Sequence, residues 1–594
     1  MPGMMRDQVT EVLVDMSDTS ESDEILDSFA LEEELAEAES FNVFGSDGSL
    51  GAGASGGASG LQVSLDKQVA EKAAEGPPVE VEGLLSEAPT FNQLLVEAPE
   101  GMLGEPRAVV DNIAEAMDRI VQEILWALDR SDVLVIWAFD QSESMVPDQR
   151  EIRDRIDAVY AQLGLHRKSS GDRLTTAVTA YGEGYLVLTK KPTSEIDKIR
   201  EAIDLVPVDP SGKEMMCSAV ASSIADHAEY AKKQKRQMML ILVTDETGEK
   251  PDNLANLEAT VQIAKQAKCR TYILGREAVF GYPFAHMKWR HPITKHIHWL
   301  PVDRGPETAF VEQLQTECFR KRTDAHPSGF GPYGQTRLAR ETGGIYFMLP
   351  SLESDIVRGE KRRYELEAMR SYRPDLRRRD ILIAERDNSI LRSVLWKIIH
   401  DLNPYHPEVA KAMTVRFSFT SNVAGFVNQV RVEQEKARQY IVYLDAAAKA
   451  LEGIRKAREQ ETQPRWQANY DLIYAQVLAY TARTYEYGAY LEGFITKPKV
   501  VPFEKPGMVR LSSWHIRESK STVGGDLTKT YVDRATEMFN NVVTDHPGTP
   551  WAARAEWELA RGYAVELREH YSYYGPRPPS PPRPTTIKIP IPKY

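Results

Sequence analysis

Residues 133–144 read VLVIWAFDQSES, an apolar run followed by an aspartate and two serines. An uninterrupted apolar run of this length is typical of a strand that is buried on both faces of a parallel sheet. The run ends at Asp140, so this carboxylate should stand at the carboxyl end of the strand. In open parallel sheets, ligands bind at that edge. The stretch therefore predicts a buried sheet with a polar site at its rim.

The sequence around this run alternates between strand and helix patterns. Further strands are predicted at 174–182, 184–191, 238–246 and 270–275, and a last helix-to-strand step at 338–349. The first two of these strands meet at Gly182-Glu183-Gly184, which predicts a hairpin. We therefore expect an α/β domain with a doubly wound, mostly parallel, Rossmann-like sheet and one antiparallel edge strand.

Composition divides the rest of the chain. The start is rich in Ser, Asp and Glu and includes a Gly/Ser run, which predicts disorder because little apolar surface can be buried. After residue 350 helical patterns replace strand patterns, so an all-α region should follow the sheet. The predicted regions are a disordered acidic tail at 1–100, an amphipathic lead-in helix at 101–130, the sheet domain at 131–350 with an insertion at 276–335, a helical domain at 351–500, a helix pair at 501–570 and a proline-rich tail at 571–594.

The net charge is concentrated at one end of the chain. Of the formal net charge of −14, residues 1–50 contribute −13, with 14 acidic side chains and the single base Arg6. The remainder is nearly neutral, so the folded part lacks the basic bias of a nucleic-acid-binding protein. The cysteines at 217, 269 and 318 form no CxxC pair and no repeated spacing, which argues against a disulfide-rich secreted module.

The sequence also allows a prediction of the cellular compartment. No apolar run reaches the roughly 18–20 residues that span a bilayer, and the first residues lack the charged and apolar regions of a signal peptide. As written, the sequence predicts a cytoplasmic protein without a membrane span. A true start upstream of Met1 would instead allow an envelope-associated protein.

Two acidic motifs resemble those of bacterial von Willebrand factor A (VWA) domain proteins. The stretch DQSES (140–144) matches the DxSxS motif of that family, directly after a buried strand, and Asp245 in VTDE (243–246) ends another strand, as the family requires. LARETGGIYF (338–347) resembles the closing helix and strand of the family. The resemblance covers residues 131–350 and implies a VWA fold with a metal-ion-dependent adhesion site.

The resemblance implies that four side chains hold Mg²⁺, or alternatively Mn²⁺ or Ca²⁺. These are Asp140, Ser142, Ser144 and Asp245. Hydroxyl and carboxylate oxygens suit a hard dication. The incomplete ligand shell would leave a position for the Asp or Glu carboxylate of a partner protein.

One position departs from the family pattern. Aligned on the helix that follows, Glu214 stands where the family has a threonine. A third carboxylate would tighten cation binding, or it could mimic the acid of a partner. A shifted alignment would instead let Ser211 supply the hydroxyl. A degenerate site, whose carboxylates are merely solvated or capped by backbone amides, is a further interpretation.

The insertion at 276–335 leaves from the carboxyl end of a strand, so it should lie on the same face of the sheet as the metal site. Its Tyr282, Trp289 and Trp299 are candidates for partner binding, because loops on a rigid scaffold often carry binding. These aromatic residues could equally form a small core of the insertion itself. A zinc site would use His291, His296 and His298, but no fourth ligand stands at a regular spacing.

The last helix pair resembles a tetratricopeptide unit. Ala535 and Phe539 precede the turn HPGTP (546–550), and small residues follow on the second helix. Such repeats normally need about three neighbours for stability. A plain helical bundle is the alternative.

These features predict a non-enzymatic protein-interaction or adhesion module that binds a partner carboxylate through a divalent cation. The sequence contains no HExxH motif, no P-loop and no Ser-His-Asp order typical of hydrolases. One alternative is an accessory subunit of an AAA+ ATPase or a chelatase-like machine. This chain would then resemble the VWA proteins that are partners of such machines. A second alternative is an envelope-tethered adhesin that starts upstream of Met1.

Overall fold

A computed structural model describes residues 107–162, 173–291, 297–322, 326–350 and 364–575. The predicted acidic tail at 1–100 lies outside the described residues, and so does most of the predicted proline-rich tail. Among the described residues, every helix is too short or too polar to cross a bilayer.

The described residues contain thirteen strands and fifteen α-helices, joined by loops. The strands are β1 (Arg107–Val109), β2 (Val133–Asp140), β3 (Leu174–Tyr181), β4 (Tyr185–Val187), β5 (Gln237–Val243), β6 (Arg270–Arg276), β7 (Phe284–Arg290), β8 (Ile297–Asp303), β9 (Tyr346–Leu349), β10 (Ser418–Thr420), β11 (Glu504–Lys505), β12 (Val509–Ser519) and β13 (Ala564–Tyr573). The helices are α1 (Ile113–Leu128), α2 (Val146–Gln162), α3 (Ile196–Asp204), α4 (Met216–Lys233), α5 (Lys250–Gln266), α6 (Tyr333–Glu341), α7 (Leu366–Met369), α8 (Arg379–Asn388), α9 (Ile390–Asp401), α10 (Pro407–Met413), α11 (Val423–Gly453), α12 (Arg455–Gln460), α13 (Pro464–Thr496), α14 (Asp526–Asp545) and α15 (Pro550–Arg561).

Seven strands form one sheet in the order β1-β9-β6-β5-β2-β3-β4. Every neighbouring pair is parallel except β3 and β4, which form an antiparallel hairpin. The prediction of a mostly parallel sheet with an antiparallel edge strand is therefore confirmed.

The central strand β2 is buried on both faces, as its apolar run predicts. Val135 and Trp137 pack into one core together with residues of α1, α2 and α3. Leu134 and Ile136 pack into the opposite core together with residues of α4, α5 and α6. Because neighbouring residues of a strand point to opposite faces, one uninterrupted apolar strand supplies both cores. This arrangement is the doubly wound sheet that the sequence predicts.

The lead-in segment differs from the sequence prediction. The lead-in helix is predicted over 101–130, but residues 107–109 form β1, which pairs in parallel with β9. The helix α1 begins only at Ile113, and the side chain of Asn112 caps it by accepting from the backbone N–H of Glu115. A strand of three residues is too short to show the two-residue alternation of polar and apolar side chains by which strands are recognised. Only its pairing with β9 defines it.

The C-terminal region is mostly helical, as predicted, but it also contains a sheet. Helices α11 and α13 pack against each other, and α14 packs on α15. The strands β10, β11 and β13 all pair antiparallel with β12, which sequence analysis did not anticipate. The register between β12 and β13 shifts between Leu511 and Ser513, and such an irregularity breaks the alternating pattern by which a strand is recognised.

The last helix pair ends earlier than the pattern suggests. Helix α15 stops at Arg561, and Gly562, at φ +77°, turns the chain into β13. Within residues 364–575, α13 packs against both α14 and α15, and β13 follows α15 directly. The structure does not confirm a tetratricopeptide repeat, so that resemblance stays a prediction.

Candidate metal centre

Three carboxylates meet at the carboxyl edge of the sheet. Asp140 is the last residue of β2, Asp245 follows the neighbouring strand β5, and Glu214 lies in the loop before α4. One carboxylate oxygen from each lies within 4.8 Å of the others, and all three side chains are buried. Parallel pairing of β2 with β5 brings the two strand ends together, so the site follows from the strand order.

The orientation of Asp140 is fixed by hydrogen bonds. Its Oδ1 accepts from the backbone N–H of Ser142 at 2.8 Å, and its Oδ2 accepts from the hydroxyl of Thr244 at 3.0 Å. The side-chain amide of Gln149 donates to the backbone carbonyl of Asp140 at 2.6 Å. Groups of this kind hold a ligating carboxylate in place in metal sites.

The two predicted serine ligands lie together at the start of α2. The Oγ atoms of Ser142 and Ser144 are 3.1 Å apart, and both residues are half-buried. A short 3₁₀ turn over Glu143–Met145 carries the chain from β2 into α2. The structure thus places two neutral hydroxyl oxygens beside each other, directly after the aspartate.

The loop that carries Glu214 is held by its own contacts. The carboxylate of Asp209 accepts from the backbone N–H groups of Ser211 at 2.8 Å and Glu183 at 2.7 Å. These bonds lower the pKa of Asp209 against the opposing effect of burial, which is the largest single influence. Gly212 has φ +63°, a conformation that favours glycine. The hydrogen bonds of Asp209 and the backbone conformation of Gly212 therefore fix the conformation of the loop.

Glu214 is the residue of this loop whose carboxylate joins the other acids. Its backbone carbonyl accepts from the backbone N–H of Glu249 at 2.8 Å, which fixes the position of the residue. Its Oε2 is buried and has no hydrogen-bond partner among the described residues. The alternative ligand Ser211 has its Oγ engaged instead by the backbone N–H of Lys213 at 3.2 Å.

The site holds more negative charge than the fold neutralises. The acid cluster, as we name it here, comprises Asp140, Glu214, Asp245 and Glu246, all buried. A positive group, Arg304, faces the cluster, with Nη1 at 3.6 Å from Oδ2 of Asp245. Oδ1 of Asp245 and Oε1 of Glu246 have no hydrogen-bond partner among the described residues.

This excess charge alters the titration of the cluster. Burial, and next to it the charge of Asp245, raise the pKa of Asp140 to about 7. Burial also raises the pKa of Glu214 well above its ordinary value, with Asp140 as the next cause, and that of Glu246, with Asp245 as the next cause. Buried carboxylates without an adequate counter-charge either take up protons or bind a cation.

The residues present fit a hard divalent cation. Such an ion takes carboxylate and hydroxyl oxygens, and the cluster offers buried carboxylate oxygens without partners beside two serine hydroxyls. Asp140, Glu214 and Asp245 would hold the ion, with Ser142 and Ser144 as neutral ligands. The chemistry of the donors excludes a soft-metal site of the thiolate type.

The insertion does not present all its aromatic residues to solvent. Tyr282 is fully buried, and its hydroxyl lies 2.5 Å from that of Tyr405, so its position does not fit the expected contact with a partner. Trp289 and Trp299 lie on the paired strands β7 and β8, and their side chains are outside the described part of the structure.

The proposed zinc site finds no support in the same strands. His291 and His298 are half-buried, and His296 lies outside the described residues. Among the residues that the structure describes, the three carboxylates above are the single group of acidic, histidine or cysteine side chains close enough to hold a metal.

Sequence reasoning missed several residues around the site. Thr244 immediately precedes Asp245, and Gln149 lies in the helix after DxSxS, so both could have been suspected from their neighbours. Arg304 gave no local signal, because the contact between the insertion and the sheet is a tertiary one. Glu246 is the last residue of VTDE, but the family resemblance implies a role only for Asp245 in that stretch.

The chain matches no protein-family model and no curated protein. Similar solved structures include the VWA domain of SpRpn10, at 12% identity and a TM-score of 0.21, over 38% of this chain and 95% of that one. Two structures of proximal thread matrix protein 1 from the mussel byssus are similar at 17% and 16% identity, with TM-scores of 0.19, over 25% of this chain. The chain spans 36% and 37% of the length of those mussel chains.

At TM-scores this low, the overlaps carry no argument about family or function. The mostly parallel seven-stranded sheet, with acids at its carboxyl edge, fits a VWA-like fold on its own evidence.

Proposed function

We propose that this protein is a non-enzymatic interaction module that binds a divalent cation, Mg²⁺ in the first instance, and through it the Asp or Glu carboxylate of a partner protein. The observation that carries the proposal is the buried trio Asp140, Glu214 and Asp245, in which two oxygens have no partner. A cation would supply the missing positive charge. The VWA-like fold supports interaction as the purpose of the site.

The rim of the site offers room for a partner. Glu143 and Lys213 are exposed, and Lys213 forms a surface ion pair with Glu183 at 2.6 Å. Val208 is 49% exposed beside Asp209, whose backbone N–H donates to the carbonyl of Gln141, the residue after Asp140. The loops around the cluster thus combine charged and apolar groups, as interaction surfaces do.

The test is calorimetric titration of the full chain with Mg²⁺ and Mn²⁺. We expect one site, lost in Asp140→Ala and weakened in Ser142→Ala. Asp157→Asn, which removes a half-exposed acid of the same domain that pairs with Arg200, is the matched control and should leave the affinity unchanged. An equal affinity in the unmodified chain and in Asp140→Ala would contradict the assignment.

A second titration addresses the partner. With Mg²⁺ at saturation, a short peptide containing aspartate should bind, and its asparagine counterpart should not. Binding of both peptides, or binding that persists in EDTA, would show that recognition does not pass through the cation.

A further inference from the structure

Arg304 is the positive charge that the fold places beside the acid cluster. Its Nη1 lies 3.6 Å from Oδ2 of Asp245, and its side chain is 1% exposed. Arg304 directly follows β8, and its backbone N–H donates to the carbonyl of Pro283 at 2.9 Å. The acids therefore come from the sheet, whereas the opposing charge comes from the insertion.

The same short segment reaches the helical region. The carboxylate of Glu307 accepts from Nη2 of Arg465, in α13, at 2.6 Å and from the backbone N–H of Gly281 at 3.1 Å. Arg465 also donates through Nε to Glu312 at 2.6 Å. Glu307 and Arg465 are both buried. Residues 304–307 thus connect the acid cluster with α13.

We propose that Arg304 is the built-in counter-ion of the acid cluster, that a divalent cation competes with it, and that residues 304–307 transmit the exchange to helix α13. The inference rests on the proposed function, since it concerns the same site. It adds a residue that sets cation affinity and a route by which cation loading reaches the helical region.

The two carboxylate oxygens of Asp245 have different surroundings. Oδ2 lies toward Arg304, while Oδ1 has no hydrogen-bond partner among the described residues. A dication that binds Oδ1 would stand within a few ångströms of a buried guanidinium. Like charges at such a distance in a poorly screened interior repel strongly. Binding of the cation and the present position of Arg304 therefore oppose each other.

The backbone beside Arg304 is hydrogen-bonded to its surroundings, so a displacement of residues 304–307 would also displace their partners. The carboxylate of Asp303 accepts from the backbone N–H of Gly305, and the carbonyl of Pro306 accepts from the backbone N–H of Tyr333. Buried ion pairs such as Glu307–Arg465 depend on geometry, since a charge left without its partner is costly. The coupling is reciprocal: if cation binding weakens the Glu307–Arg465 contact, then the intact contact lowers the affinity for the cation by the same factor.

The first experiment measures Mg²⁺ affinity of the full chain by calorimetry. Arg304→Gln should bind Mg²⁺ roughly tenfold more tightly than the unmodified chain, within the range of typical coupling between sites. Arg304→Lys, which keeps the charge, should stay close to the unmodified chain. Arg337→Gln is the matched control, because Arg337 is a buried arginine of the same domain that pairs with Glu258 instead. Its affinity should not change.

The second experiment uses the unmodified chain, so it remains decisive if Arg304→Gln does not fold. Hydrogen exchange of peptides covering 304–307 and the start of α13 is followed with EDTA and with saturating Mg²⁺. We expect faster exchange in both peptides with Mg²⁺, and no change in a peptide from α1, which packs into the other core of the sheet domain. No change at 304–307 would overturn the proposal, as would equal Mg²⁺ affinity in Arg304→Gln. Absence of Mg²⁺ binding in the unmodified chain would refute the proposed function itself.

Discussion

Glu214 and Asp140 come from different parts of the chain, yet a carboxylate oxygen of one lies within 4.8 Å of a carboxylate oxygen of the other. Both side chains are buried, and their negative charges repel each other when ionised. A cation between them would turn that repulsion into shared ligation. This pair therefore determines how the site responds to substitution, to pH and to metal.

Replacing Glu214 with threonine should restore the neutral hydroxyl that the family resemblance implies. Mg²⁺ affinity should fall, because a negative charge beside the cation is lost. The Coulomb energy at 4 Å and an effective dielectric constant of 20 is roughly 4 kcal/mol, which is an upper guide. Affinity for acetate or glutamate at saturating Mg²⁺ should rise, since the cation keeps more of its charge. Calorimetry measures both constants.

The opposite signs distinguish ligation from damage to the loop. Ser211→Ala, in the same loop, is the matched control and should leave both constants unchanged, because its Oγ is engaged by the backbone of Lys213. A parallel loss of both affinities in Glu214→Thr would speak against Glu214 as a built-in ligand.

The stability of the metal-free protein should fall as pH rises through neutrality. The pKa of Asp140 is raised from 3.8 to about 7, with burial as the first cause, so the folded state binds a proton more tightly than the unfolded state does. This contribution is fully present below about pH 4 and is lost as pH rises through about 7. Thermal unfolding in EDTA between about pH 5.5 and 8.5 measures it.

Two comparisons isolate this effect from the rest of the protein. Asp140→Asn should show a flatter dependence in EDTA, because that carboxyl group no longer titrates. Saturating Mg²⁺ should remove the decline in the unmodified chain, since the cation replaces the protons. The raised pKa would be contradicted if, in EDTA, the stability of the unmodified chain rose with pH over this interval, and rose more steeply than that of Asp140→Asn.

Thr244 should support the metal site without touching the cation. Its hydroxyl donates to Oδ2 of Asp140 at 3.0 Å, and removal of such a supporting group typically costs about 10- to 100-fold in metal affinity. Thr244→Val should therefore weaken Mg²⁺ binding within this range. Thr260→Val, which removes another buried hydroxyl that bonds to the carbonyl of Cys217, should leave the affinity unchanged. Equal losses in both variants would indicate a general effect on folding.

Glu558 should be far more important for stability than an exposed acid of the same region. It is fully buried and binds Nη1 of Arg483 at 2.7 Å and Nη2 of Arg554 at 3.0 Å. Burial alone would raise its pKa, but the neighbouring guanidinium groups hold the pKa well below the ordinary value. Breaking a buried pair of this kind typically costs about 3–5 kcal/mol, so Glu558→Ala should lose that much unfolding free energy.

The matched control is Glu566, which pairs with Arg568 at the surface. Glu566→Ala should change the unfolding free energy by about 0–1 kcal/mol, because solvent screens exposed pairs. Chemical denaturation followed by circular dichroism provides both values. A loss below about 1 kcal/mol for Glu558→Ala would mean that the arginines find other partners.

The sequence was most informative where local pattern and tertiary role coincide. The apolar run at 133–139 predicts the central strand because burial on both faces leaves it no polar residue. The hairpin of β3 and β4 follows from its glycine-rich turn. By contrast, β1 and the strands around β12 are defined by pairing with distant residues, and pairing of that kind leaves no period in a single sequence.

The candidate site divides in the same way. Asp140 and Asp245 were identified because DQSES and VTDE resemble the acidic motifs of VWA domains at two strand ends, and Glu214 because it departs from the threonine of that family. The structure brings these three together. Arg304 was not foreseen, since it approaches the site from a hairpin whose docking on the sheet has no local signature.

Strand β1 sets a practical limit on how the sheet domain can be isolated. It covers the edge of β9, and the helix after it packs against β2 and β6. A fragment that begins at residue 131, where the motif-based boundary falls, would lose both elements and leave β9 with a free row of backbone N–H and C=O groups. Exposed strand edges recruit other chains. Such a fragment should precipitate or form oligomers by pairing of the exposed β9 edges. A fragment that begins before Arg107 should stay monodisperse.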